Sequence, residues 1–258
     1  MSDSVIYEVR DKVCTITLNE PENMNALSAS LKEQLKKALD EAEADPGVNV
    51  IVLTGNGKAF CAGGDLKAME NRTLVDSVET INETTKIIQK ITDSKKPIIA
   101  AVNGYAMGAG FSLALACDIV MADKKAKFGL SFAKVGLIPD LGLLYFLPKI
   151  LGVWKAKELI YSAKILSSDE ALELKLINRI ANENELLDEA MQLADEIALG
   201  PSKAIWFVKS IFNKVHNKDL SLTMQLENFA QSILQQTEDH KEGINAFKEK
   251  RTPEFTGR

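Results

Sequence analysis

Residues 5–9 and Val13–Leu18 are two short β-rich runs separated by Asp11-Lys12, which predicts a hairpin. Leu31, Leu35, Ala38, Leu39 and Ala42 then recur at helical spacing and predict an amphipathic helix over 29–44. Ser28 or Ser30 can cap it, Glu33 lies three residues after Ser30, and Asp45-Pro46-Gly47 ends it. Residues 48–54 are apolar enough for a buried strand, bounded by Gly55. A glycine-bearing loop over 55–65 leads into a long polar helical region reaching about residue 94. Lys96-Pro97 opens a third core strand at 98–102, Gly104 to Gly110 forms a second glycine-rich loop, an apolar helix runs to Ala116, and residues 118–122 make another strand. This strand–helix–strand alternation implies right-handed crossovers and a largely parallel sheet.

From about residue 167 the pattern turns helical. Ser167-Ser168-Asp169-Glu170 is a capping box, and helices are expected near 184–199, 202–216, 219–237 and 240–248. We divide the chain into an α/β core over 1–195 and a helical C-terminal region over 196–258.

Composition narrows the functional classes. The 31 basic and 36 acidic residues leave a net charge of −5, which argues against a general nucleic-acid binder but leaves room for a local phosphate patch. Cys14, Cys61 and Cys117 are far apart, no Cys-x-x-Cys occurs, and the histidines are His216 and His240, so no zinc site is expected. The unpaired cysteine count and the polar start Met1-Ser2-Asp3-Ser4, without a basic leader, point to a reducing cytoplasmic setting. The apolar runs are too short to span a bilayer.

Two loops can carry chemistry. Phe60-Cys61-Ala62-Gly63-Gly64-Asp65-Leu66 and Asn103-Gly104-Tyr105-Ala106-Met107-Gly108-Ala109-Gly110 each follow a buried strand and open a helix. Free N–H groups and partial positive charge gather at helix starts, and two such starts facing one point would form an oxyanion hole. Either loop alone is equally explained by glycines that permit tight turns and close packing. Phosphate-loop patterns do not fit: Gly55-Asn56-Gly57 lacks the third glycine of a dinucleotide fingerprint, and Gly57-Lys58 is followed by Ala59 rather than Ser or Thr.

The two loops resemble the signature of the enoyl-CoA hydratase/isomerase, or crotonase, superfamily. The resemblance covers nearly the whole chain. It runs through Leu18-Asn19-Glu20-Pro21, Asn25-Ala26-Leu27, both glycine loops, Cys117-Asp118-Ile119, Gly136-Leu137-Ile138-Pro139 and Lys250-Arg251-Thr252-Pro253-Glu254-Phe255. It implies an α/β, crotonase-like spiral of ββα units with a helical C-terminal trimerisation region. It implies an acyl-CoA thioester as substrate, no separate cofactor, and a homotrimer or dimer of trimers. It assigns the oxyanion N–H groups to Gly64 and Ala109. It sets Ala26 and Ala62 beside the CoA moiety, Asp65, Leu66 and Lys67 along the bound thioester, and Lys250 toward CoA phosphates.

The same resemblance bears on the reaction. Hydratases of this family use two glutamates, and the matching positions here are Ser112 and Phe132, neither of which is an effective proton-transfer group there. Asp140 is a carboxylate that remains nearby, as in the 3-enoyl/2-enoyl-CoA isomerases and especially the 1,2-epoxyphenylacetyl-CoA isomerase branch. A carboxylate set between the α and γ carbons can remove a proton from one and return it to the other. Apolar neighbours would raise its pKa and strengthen it as a base. Asp140 could instead cap the helix that follows Pro139-Asp140-Leu141-Gly142. Ala109 stands where hydratases have glycine, keeping the N–H but adding a methyl, and Leu143-Leu144-Tyr145-Phe146 suggests an apolar acyl pocket. Asp118 and Asp65 read as structural, Cys61 as a small buried side chain, and Met24 and Met107 as packing. Three readings therefore stand: an acyl-CoA double-bond isomerase using Asp140, a hydratase or epoxide isomerase, and a non-catalytic acyl-CoA-binding subunit.

Overall fold

The computed structural model describes residues 3–69, 73–215, 231, 233–234 and 237–258. The hairpin forms as expected: β1 (Val5–Arg10) pairs antiparallel with β2 (Val13–Leu18), and Asp11 takes a left-handed turn conformation. The helix α1 (Ala29–Ala44) follows, and it is Ser28, not Ser30, that caps it, accepting from the Leu31 N–H. The Ser30 hydroxyl instead bonds that of Ser4.

Three ββα units then succeed one another. The first contains β3 (Val50–Gly55), β4 (Ala59–Cys61), the one-turn α2 (Leu66–Met69) and α3 (Leu74–Asp93). The second contains β5 (Ile98–Val102), β6 (Tyr105–Met107) and α4 (Ala109–Ala116). The third contains β7 (Ile119–Ala122), β8 (Lys127–Gly129), a 3-10 turn at Ser131–Val135 and α5 (Leu143–Leu151). Next come α6 (Val153–Tyr161), β9 (Ile165–Ser167), α7 (Ser168–Glu173) with the expected capping box on Ser167, and β10 (Arg179–Ile180). The chain continues through α8 (Leu186–Ala198), α9 (Ser202–Val215) and α10 (Glu238–Glu249). The helix expected over 219–237 falls largely on residues outside those described.

The first strand of each unit joins one sheet and the second joins another. The large sheet runs β1-β2-β3-β5-β7-β10, parallel except at the β1–β2 edge; the small one runs β4-β6-β8-β9. Alternation along the large sheet sorts its side chains to two cores. Ile16, Leu18, Ile51, Leu53, Ile98 and Val102 join the core that also holds the buried faces of α1, α3 and α4. Val13, Val50, Val52, Ile99 and Ala101 pack against Ala190, Ala194 and Ala198 of α8. With helices on both faces, the central strands are buried on each side, which is why β3 and β5 carry no polar alternation.

A buried lysine ties the C-terminal helix α9 to this core. Lys209 Nζ donates to the carbonyls of Ile91 and Lys96 and to Asp118 Oδ2, while Asp118 Oδ2 also accepts from the Ile98 N–H. The structural role expected for Asp118 is therefore borne out, through an ion pair that satisfies all three ammonium donors. Among the described residues, no helix is long and apolar enough to cross a membrane.

Candidate active site

The small sheet brings the two glycine loops side by side. Strands β4 and β6 are parallel neighbours, and each leads directly into one loop. Two asparagine amides, the buried Asn25 and the half-buried Asn103, hold β4 in place: Asn25 Nδ2 donates to the carbonyls of Asn56 and Ala59, and Asn103 Nδ2 donates to the Gly57 carbonyl. The loops then touch backbone to backbone. A Cβ on Gly110 would lie 2.0 Å from the Cys61 carbonyl oxygen, and one on Gly63 would lie 2.6 Å from that of Met107. Gly63 also needs its positive φ of 99°. The glycines are thus required by close approach, as the packing explanation expects, and this same approach is what sets the two loops side by side.

A narrow cleft of about 40 Å³ opens at this junction, lined among others by Leu27, Gly64, Asp65, Ala109, Asp140 and Leu141. Residues as far apart in the chain as Leu27 and Leu141 therefore share one small space. Neither the Gly64 N–H nor the Ala109 N–H is a donor in the main-chain hydrogen bonds of these loops. Ala109 is the first residue of α4, where the N–H groups have no partner within the helix. The remaining lining comes from Lys32 on α1 and from Thr80, Ile81 and Thr84 on α3, none of which the loop motifs pointed to.

Asp140 does not cap a helix. Gly142, with a φ of 82°, holds the cap position of α5, and Asp140 meets that helix through its main chain, the Leu143 N–H donating to the Asp140 carbonyl at 3.0 Å. The side chain turns toward the cleft instead, and its buried Oδ1 has no hydrogen-bond partner. Burial pushes the Asp140 carboxyl above its ordinary range, opposed only by its own main-chain N–H. A carboxylate kept short of hydrogen bonds and water is a stronger base than one on the surface.

The two positions compared with glutamates are filled differently. Ser112 is buried on α4, and its hydroxyl donates to the main-chain carbonyl of Asp140 at 3.0 Å. Phe132 is buried with its ring edge against Gly108, beside the start of α4. Leu143-Leu144-Tyr145-Phe146 does not line this cleft: Leu143 points into the core, while Leu144 and Tyr145 are about half exposed at 52% and 51%. The expected apolar wall exists, but Leu27, Ile81 and Leu141 supply it, because α5 presents its buried face to the core rather than to the cleft.

Of the other expected site residues, Asp65 caps the short α2, its Oδ1 accepting from the Ala68 N–H. Ala26 and Ala62 are outside the cleft lining: Ala26 directly precedes Leu27, and the Ala62 N–H donates to the Met24 carbonyl. Leu66 is exposed at the start of α2, and Lys67 follows it in the same turn. Lys250 sits just after α10 with a φ of 57°, exposed and outside the cleft lining. Cys61 is fully buried, as expected of a packing residue, and burial pushes its thiol up to about 12.

Residues 8–258 match the family model for enoyl-CoA hydratase/isomerase. The chain belongs to the enoyl-CoA hydratase/isomerase family. It is 35% identical, over the full length of both chains, to the 1,2-epoxyphenylacetyl-CoA isomerase of Escherichia coli. It is 34% identical to the crotonyl-CoA hydratase of Syntrophomonas wolfei, with 98% of each chain covered. Among solved structures, the enoyl-CoA hydratase of Bacillus anthracis superposes with a TM-score of 0.96 at 33% identity, covering 99% of this chain and 100% of the other. The ββα spiral described above is thus the fold of this family of acyl-CoA enzymes, and both hydratases and an isomerase are among its relatives.

Proposed function

We propose that this family member is an acyl-CoA double-bond isomerase in which Asp140 is the single acid/base and the N–H groups of Gly64 and Ala109 form the oxyanion hole. The observation that carries the reading is the partnerless, buried Oδ1 of Asp140 in the same cleft as those two residues. The thioester carbonyl sits against the two N–H donors. Asp140 takes a proton from the α carbon of a 3-enoyl-CoA, and the electron pair moves onto the carbonyl oxygen as a dienolate. Each oxyanion donor lowers that barrier by about 3–4 kcal/mol. The protonated Asp140 then delivers its proton to the γ carbon, the double bond ends between the α and β carbons, and the carboxylate is restored. No water enters and no cofactor is consumed.

Two further features favour isomerisation over hydration. Hydration needs a group to activate water and another to protonate carbon, and Ser112 and Phe132 offer neither. Asp140 also has Leu27, Ile81 and Leu141 around it, an apolar surface suited to a hydrocarbon or aryl chain. Ala26, Ala62, Asp65, Leu66, Lys67 and Lys250 are assigned to the CoA moiety, and the 196–258 region to assembly of a homotrimer or dimer of trimers. The deciding experiment is Asp140→Asn assayed on a 3-enoyl-CoA, with the product mass recorded. The reading requires turnover to fall by at least about a hundredfold and the wild-type product to keep the substrate's mass. Undiminished turnover in the variant removes Asp140 from the chemistry; a gain of one water by the product replaces isomerisation with hydration.

A further inference from the structure

We infer that Ser112 is a positioning residue that fixes Asp140 at a set distance from the Ala109 N–H. The inference rests on the assignment of Asp140 as the base. Every residue of α4 is buried, and Ser112 is the one hydroxyl among Phe111, Leu113, Ala114, Leu115 and Ala116. Serine is a mediocre helix former, and a buried hydroxyl must find an acceptor. Its nearest in-helix acceptor, the Gly108 carbonyl, is 3.4 Å away. The Asp140 carbonyl, 28 residues distant in sequence, is closer at 3.0 Å.

That bond joins two parts of the site directly, the start of α4 and the segment that carries the base. Ala109 and Ser112 lie three residues apart on one rigid helix, so the first presents an N–H to the cleft while the second grips the base. The segment carrying Asp140 is not regular. Gly136 and Gly142 at its two ends and Leu141 beside Asp140 all have positive φ, at 71°, 82° and 49°. Leucine tolerates that conformation poorly, so the turn persists because its surroundings impose it. The buried Leu141 side chain supplies one restraint, and the Ser112 hydroxyl supplies another. A carboxylate that must reach two carbon atoms in one catalytic cycle needs its main chain held, because a displacement of about 1 Å can cost on the order of a hundredfold in rate.

The test is a series at one position, Ser112→Ala and Ser112→Cys, measured beside Asp140→Asn. Ser112→Ala should lower kcat about tenfold with KM within about twofold. Its acid limb of kcat against pH should move to lower pH, because a loosened Asp140 gains water. The other charged groups lining the cleft are Lys32 on α1 and Asp65 before α2, and both are unchanged in the series. Ser112→Cys, which keeps a weak donor in nearly the same volume, should fall between. A purely structural role would reduce the amplitude of the profile and the melting temperature while leaving the limb in place, and that result overturns the inference. So does a Ser112→Ala enzyme with wild-type kcat and limb. Should the alanine variant fail to fold, the cysteine variant carries the same test: an unmoved limb refutes the tether. If Asp140→Asn is inactive while both Ser112 variants behave as wild type, only the tether fails; if Asp140→Asn is active, the assignment of the base fails with it.

Discussion

Replacing Gly110 by alanine sets two magnitudes against each other. Gly110 is in α4 with an ordinary φ, so helix propensity alone favours alanine by about 1 kcal/mol. Space forbids it. The new Cβ would lie 2.0 Å from the Cys61 carbonyl oxygen, 2.7 Å from its carbon and 2.8 Å from its Cβ, where real contacts stay above 3.0 Å. The loops must therefore part by about 1 Å, and the atoms in the way are mostly main chain, which cannot rotate aside. Cys61 leads into the loop carrying Gly64, and Gly110 directly follows Ala109, so this movement separates the two proposed oxyanion donors. Losing one such donor lowers kcat by about 10²- to 10³-fold, and this range is the expected result on a 3-enoyl-CoA. A thermal melt run alongside should show a folded protein with a lower melting temperature, since overpacking of this kind costs about 1–3 kcal/mol. A Gly110→Ala enzyme with kcat within threefold of wild type would refute the claim that loop apposition builds the oxyanion hole.

Asp140→Asn should also change stability in a pH-dependent way. Burial holds the Asp140 carboxyl above its ordinary value, so the folded state binds its proton more tightly than the unfolded chain does. That contribution is present below the unfolded pKa and is lost as pH rises through the folded one. The variant should therefore melt higher than wild type at pH 7, with the gap narrowing toward pH 4; a wild type that is the more stable at pH 7 contradicts this. Lys209→Met removes a buried cation and leaves Asp118 with a main-chain donor but no counter-charge. A loss of about 3 kcal/mol in urea unfolding is expected, and a loss under 1 kcal/mol would show that α9 is held by other contacts.

Much of the large sheet was legible in the sequence because its central strands β3 and β5 are almost wholly apolar and its β1–β2 edge is a β-rich pair of runs around a turn. β3 and β5 announce themselves as uninterrupted buried runs, and α1 by the spacing of Leu31, Leu35 and Leu39. The small sheet was not legible. β4, β6 and β8 are three residues each, and β6 lies inside a segment whose glycines read as a loop. Three residues are too few for a period to show, and Tyr105-Ala106-Met107 pairs as a strand only because β4 and β8 lie on either side. Tertiary pairing overrides local preference there.

The site was legible where it depends on main chain and obscure where it depends on side-chain direction. Gly63 and Gly110 are visible as glycines because no other residue allows the two loops to approach as they do. Asp140 was visible as a carboxylate, yet Pro139-Asp140-Leu141-Gly142 equally fits a helix cap, and the sequence offers no sign that Leu141 turns left-handed and Gly142 takes the cap instead. That reversal follows from packing: the Leu141 side chain is buried, and the turn that buries it directs Asp140 into the cleft. Ser112 and Phe132 were visible as missing glutamates, whereas the bond from the Ser112 hydroxyl to Asp140 spans 28 residues and leaves no local mark. A backbone oxyanion hole survives any substitution that spares its glycines, while the base must be aimed by its surroundings. Differences between hydratases and isomerases on this fold should therefore concentrate in α4 and in the 131–142 stretch, where a carboxylate is gained, lost or turned, rather than in the two glycine loops.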